Sequence, residues 1–154
     1  MGGVLLFQSG PFLTVTVPGA DPAGVGFPQI TGNGRADIVS GVSVYPAHQT
    51  VSQWLNPAAF AVPPNNIGRF PTSGVGIATG PGTQSVSMSL MKAIAIRENL
   101  RFQIGAQAAN LFNHPNYANP NTTFNTAAFG TISNVQSAEG AGPRVIQATA
   151  RLTF

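Results

Sequence analysis

The last eleven residues, Arg144 to Phe154, read RVIQATARLTF and alternate without a break. Ile146, Ala148, Ala150, Leu152 and Phe154 fall on one face of an extended chain. Val145, Gln147, Thr149, Arg151 and Thr153 fall on the other. Successive side chains of a strand point to opposite faces, so the segment is a strand with one apolar and one polar face. A membrane-crossing β-strand needs about 9–11 residues patterned in this way. A half-buried strand of a water-soluble sandwich alternates too, and the rest of the chain has to choose between them.

Composition leans toward the first. Of the 154 residues, 43% are hydrophobic and only 7% charged, against roughly 25% charged in ordinary soluble domains. So few charges suit a surface that meets lipid or protein. The seven basic residues are scattered singly against four acids, so the net charge of +3 forms no basic patch and nucleic acid is not an expected partner. No cysteine is present, which excludes a disulfide framework and thiolate chemistry. No apolar run approaches the roughly 18 residues of a membrane-crossing helix. The N-terminus, MGGVLLFQSG, has an apolar core of four residues and no basic flank, so it does not read as an export signal. The length fits one domain, and the missing signal predicts a piece of a longer chain.

Gly3–Ser9 and Leu13–Val17 read as strand segments within residues 3–17, split at Ser-Gly-Pro. Residues 18–83 read as a long loop. Pro18 to Gly82 holds nine of the thirteen prolines and eleven of the eighteen glycines, which excludes a run of central strands. Gln84–Ile96 has neither residue type, and Val86, Met88 and Leu90 alternate with serines. After the polar turn Arg97–Asn99, Leu100–Phe112 alternates again, with Leu100, Phe102 and Ile104 opposite Arg101 and Gln103. Residues 113–143 read as a second loop, and 144–154 as the closing strand. The expected fold is all-β: antiparallel strands of a partial transmembrane β-barrel with long extracellular loops. Successive antiparallel strands place the short turn at one end and both long loops at the other, the arrangement of outer-membrane barrels.

Several motifs carry a family resemblance. They are Gln8-Ser9-Gly10-Pro11-Phe12, Arg35-Ala36-Asp37-Ile38-Val39 and Trp54-Leu55-Asn56-Pro57-Ala58-Ala59-Phe60. The strongest is Asn110-Leu111-Phe112-Asn113-His114-Pro115-Asn116-Tyr117, followed by Asn119-Pro120-Asn121, Phe129-Gly130-Thr131-Ile132 and the terminal Arg151-Leu152-Thr153-Phe154. Together they resemble the C-terminal end of TonB-dependent outer-membrane receptors, most closely the Oar-like type with a carboxypeptidase-regulatory-like domain. The resemblance implies a bacterial outer-membrane location, a 22-stranded barrel with a plug, and uptake driven by an inner-membrane energy-coupling complex. Expected partners are the remainder of the barrel and plug, outer-membrane lipid and the barrel assembly machinery, with energy coupling acting through a part not contained here. Leu152 and Phe154 are then expected to serve as the assembly signal. Four strands do not close a barrel of that size. An adhesive surface protein that self-associates through strand edges, and a soluble all-β binding module, are the alternatives.

Candidate ligand residues sit in the loops. Trp54 and Phe60 flank Asn56-Pro57, where Asn suits a helix cap and Pro its first turn. They read either as an aromatic platform for an extracellular ligand such as a glycan, or as a packing staple at the barrel mouth. Asn113, His114 and Tyr117 lie where a strand meets a loop, and a turn held by Asn side chains is the favoured reading there. His48 is the only other histidine, so a metal centre of three or four ligands is not expected. No cofactor is expected either. The acids Asp21, Asp37, Glu98 and Glu139 lie far apart and no G-x-S-x-G elbow exists, so the chain does not read as an enzyme.

Overall fold

The computed structural model describes residues 1–26, 34–137 and 140–154; Glu139 lies outside them. The strands are β1 (Gly2–Gln8), β2 (Phe12–Leu13), β3 (Asp37–Ile38), β4 (Phe60–Ala61), β5 (Ala78–Thr79), β6 (Thr83–Arg97), β7 (Leu100–Ala109) and β8 (Val145–Thr153). The only regular helical element among the described residues is a 3-10 turn at Pro57–Ala59, and no helix is long and apolar enough to cross a membrane. The chain divides into two compact units. One comprises Met1–Ser9, Gly82–Tyr117 and Val135–Phe154, the other Gly10–Pro81 and Ala118–Asn134.

The first unit is an antiparallel four-stranded sheet in the order β1-β6-β7-β8. Each strand pairs with the next long strand in sequence, so the sheet is an up-and-down meander. The register sorts the side chains into two faces. Ile94, Phe102 and Leu152 stand side by side, as do Leu90, Ala106 and Ala148, and Leu5 stands beside Val86. On the opposite face Gly2 stands beside Ser89 and Gln107 beside Gln147, with Gln103 opposite both Ala93 and Arg151. The apolar face remains open: Leu5 is 69% exposed, Leu90 59% and Ile146 65%.

A two-residue turn, Glu98-Asn99, joins β6 to β7, one residue shorter than the turn expected from the sequence. Tight hairpins normally use a positive φ to match the strand twist. Neither turn residue has one; a register shift between Ala95 and Arg97 takes up the difference, as bulges do near sheet ends. Both long connections leave the sheet from the other end, after Gln8 and after Ala109.

β1 stops at Gln8, short of the expected 3–17 span. The Leu13–Val17 alternation belongs to the second unit. There Val15 and Val17 are buried with Ala36, Leu55, Phe60 and Ala78. The supposed loop 18–83 therefore contributes most of a packed core. Its ladders are minimal, β2 with β5 and β3 with β4, because proline removes ladder donors throughout the segment. Side chains and isolated bridges supply the remaining order. Thr16 bridges both Arg35 and Thr123. Phe60, Phe124 and Phe129 meet pairwise with ring centroids 5.1–6.0 Å apart and tilted to edge-on planes, the geometry aromatic quadrupoles favour.

Candidate functional site

The sequence candidates fall into different units. In the second unit, Asn56 caps the 3-10 turn: its Oδ1 accepts the Ala58 N–H at 3.1 Å, and its Nδ2 donates to the Ser43 carbonyl at 2.9 Å. Phe60 is 4% exposed and its ring is spent on Phe124 and Phe129, so it presents no face to a ligand. Trp54 is half-buried, and its indole N–H donates to the Thr79 carbonyl at 3.0 Å. Tyr45 meets the same residue, its hydroxyl accepting the Thr79 N–H at 2.7 Å. The two aromatics hold β5 by both backbone groups of Thr79. Trp54 and Phe60 are thus both engaged in packing and bonding within the second unit.

In the first unit, Asn113, His114 and Tyr117 lie on the β7–β8 connection. His114 is exposed, and among the described residues its hydrogen bonds are made by its backbone. Asn110 Oδ1 accepts the His114 N–H at 3.0 Å, while Asn110 Nδ2 donates to the His114 carbonyl at 2.9 Å and to the Gly142 carbonyl at 2.8 Å. Asn113 Oδ1 accepts the Arg144 N–H at 3.3 Å. Tyr117 bridges Val135, and its carbonyl accepts from Gln136 Nε2 at 3.1 Å. Asn116, 1% exposed, accepts the Gln84 N–H at 2.7 Å and donates to the Ala141 carbonyl at 2.9 Å. A hollow of about 160 Å³ lies beside these residues, against Ala141 and Pro143.

Asn110 and Asn116 are the residues that sequence reasoning passed over. Both are buried amides with both polar atoms satisfied, which is how a polar group becomes affordable inside a fold. Asn110 and Asn113 also hold positive φ, 48° and 52°, a conformation Asn tolerates better than most residues. The clue was present in the spacing of Asn110, Asn113 and Asn116 at the exit of β7.

A concavity of about 600 Å³ lies along the polar face of the first unit beside Ser87, Ser89 and Gln107, and the second unit carries a smaller one of its own. A groove of about 340 Å³ is lined by Thr14, Thr16, Val17, Pro18, Gly34, Arg35 and Val75. Its walls combine two hydroxyls and one guanidinium with apolar carbon, a lining suited to a small ligand with a polar or anionic end. Nearby in the fold, Asp37 is clamped: Arg69 donates to both carboxylate oxygens, at 2.9 and 2.6 Å, and the Thr72 N–H donates at 2.8 Å. The hydrogen bonds from Arg69 lead in lowering the Asp37 carboxyl to about 2 from its ordinary 3.8; partial burial opposes them and the Thr72 bonds assist. This pair is consumed in holding residues 69–72 against β3. Among the described residues, no three of His, Cys, Asp and Glu gather as metal ligands.

The family described as "Outer membrane beta barrel domain" matches residues 1–147. No curated protein and no solved structure matches the chain.

Proposed function

The chain belongs to the outer membrane beta barrel domain family, and on that footing we propose that it serves as strand-and-loop portion of a TonB-dependent receptor that takes up substrate. Its place is the bacterial outer membrane. The observation that carries the proposal is the folding of residues 10–81 and 118–134 into a packed unit with its own grooved surface. A barrel that only plugged a hole in the membrane would have no use for connections this large. Ordered loops between barrel strands are where binding concentrates.

On this reading the apolar face of β1, β6, β7 and β8 meets lipid and the serine- and glutamine-rich face lines the barrel interior. Ser87, Ser89, Gln103 and Gln107 offer a passing solute hydrogen bonds on that interior face. The groove beside Thr14, Thr16 and Arg35 captures ligand. Leu152 and Phe154 close the apolar series of β8, and we assign that segment to recognition by the barrel assembly machinery. The remaining barrel strands and the plug complete the receptor, and the energy-coupling complex acts through the plug.

The test is genetic. Strains lacking this protein, or lacking the energy coupler, are grown on a panel of iron complexes and oligosaccharides as limiting nutrients. Both should fail on the same compound. Normal growth of the strain lacking this protein on every compound that requires the coupler would refute coupled uptake.

A further inference from the structure

One residue contradicts the two-faced pattern of the sheet. Lys92 lies in the apolar series of β6, between Leu90 and Ile94. The register sets it directly opposite Ile104, and Ile104 opposite Ala150. The rows on either side, Leu90–Ala106–Ala148 and Ile94–Phe102–Leu152, contain no acid. Lys92 is exposed. A cation on the lipid face is costly at the bilayer midplane and nearly free at the interface, so the depth of Lys92 decides its meaning.

Lys92 lies five residues from Arg97 and nine from Thr83, the two ends of β6. With a rise of about 3.3 Å per residue and a strand tilt of about 40°, the turn end is the nearer membrane boundary. Charge returns to the sheet at Arg151, in the row Ala93–Gln103–Arg151 on the opposite face, and again in the row Ala95–Arg101–Thr153, which lies three residues beyond Lys92, about 7–8 Å along the membrane normal on the same rise and tilt. A lysine stem reaches about 6 Å and follows apolar surface to place its ammonium at headgroup level. Arg97 lies at the same end, and Arg101 and Arg151 stand near it on the opposite, polar face, with Glu98 as the one acid, so the net field at that end attracts anions.

We propose that Lys92 binds the phosphate of an anionic phospholipid, of the phosphatidylglycerol class, in the leaflet at the short-turn end of the sheet. The acyl chains lie on the apolar rows beside it. The occupant is a phospholipid because the ammonium emerges from a lipid-covered face. It is not a phosphorylated glycolipid of the outer leaflet, because the long connections that mark the outer side leave from the opposite end. The inference rests on the membrane-barrel family and the lipid-facing assignment, and does not depend on ligand uptake.

The experiment uses the protein purified from its outer membrane and placed in phosphatidylcholine vesicles. Spin-labelled phosphatidylglycerol, phosphatidylcholine or lipid A is added in trace amounts, and the motionally restricted fraction is read by electron paramagnetic resonance. Wild type should prefer phosphatidylglycerol over phosphatidylcholine by about 5-fold, the weight of one basic residue at a membrane surface. Lys92→Leu should bring the two to near parity, and Lys92→Arg should keep the preference. An unchanged preference in Lys92→Leu overturns the proposal. So does a lipid A preference that Lys92→Leu abolishes, or displacement of the labelled phosphatidylglycerol by excess glycerol phosphate. Restricted phosphatidylcholine in all variants reports the lipid-facing sheet itself; its absence in wild type overturns that assignment, separately from the role of Lys92.

Discussion

Asn116 accepts the backbone N–H of Gln84 at 2.7 Å, across thirty-two residues of sequence. With its donor bond to the Ala141 carbonyl, one buried amide joins the start of β6 to both halves of the β7–β8 connection. Asn116→Ala removes both partners and strands the part-buried Gln84 N–H and the buried Ala141 carbonyl. The expected loss is about 2–3 kcal/mol, read from urea midpoints of the protein folded in detergent micelles. His114→Ala, two residues away, removes an exposed ring whose backbone contacts persist, and should fall within about 0.5 kcal/mol of wild type. Equal losses in the two variants would mean that Asn116 does not act through these bonds.

Asp37 makes stability depend on acid. Its folded carboxyl is lowered to about 2 from 3.8, so the native state favours the ionised form. The stabilisation is complete above the unfolded value, shrinks as pH falls from about 4, and is gone below about 2. Its size is at most about 2.5 kcal/mol by the one-unit rule. Arg69 is 43% exposed, so solvent screening reduces it further. Asp37→Asn should therefore be less stable than wild type at pH 6, and the gap should close as pH approaches 2. A gap that stays constant with pH would assign the loss to packing.

Gly10 and Gly80 approach so closely that a methyl group on Gly10 would overlap the Gly80 carbonyl. The Gly80 N–H donates to the Pro11 carbonyl at 2.9 Å, so neither strand has room to retreat without losing that bond. Gly10→Ala should cost about 1–3 kcal/mol, the range for overpacking against fixed backbone. Gly74→Ala faces open space at an ordinary φ and should leave the urea midpoint within experimental scatter. A Gly10→Ala protein as stable as wild type would show that the two segments can part.

The sequence made β6, β7 and β8 legible because a membrane sheet repeats one rule along every strand. Period-2 patterning placed Phe102 and Leu152 on one face, and the register sets them side by side. The same rule misled at Leu13–Val17. That segment alternates as well as β1 does, and its valines do turn inward, yet their neighbours are Ala36 and Ala78 rather than β6. Local alternation reports a buried face and says nothing about which segment buries it. The packed unit was hidden for a related reason. Its order comes from single bonds such as Trp54 to Thr79 and Asp37 to Arg69, between residues whose distance in sequence gives no local signal. Asn110 fell inside the strand reading Leu100–Phe112 and Asn116 at the end of the Asn-held turn that followed it; their burial follows from carbonyls at Ala141 and Gly142 that only the fold brings near.

The final expectation concerns association. β1 and β8 form the two edges of the sheet, and neither outer edge pairs with another strand among the described residues. Unpaired edge groups template further strands. The apolar face adds exposed Leu5, Leu90, Ile104 and Leu152, a patch that soluble monomers avoid. The chain in buffer without detergent should therefore sediment as oligomers or larger species at micromolar concentration. Detergent, which covers the face but not the edges, should reduce the size without abolishing edge pairing. Placing lysine at both Ile146 and Ala148 charges the β8 edge strand and should lower the remaining association, as edge charges do in natural sheets. A monodisperse monomer in detergent-free buffer would mean that the apolar face and both edges are covered from within the chain, contrary to the open sheet seen here. Association that the β8 lysines leave untouched would place the contact on β1 or on the second unit instead.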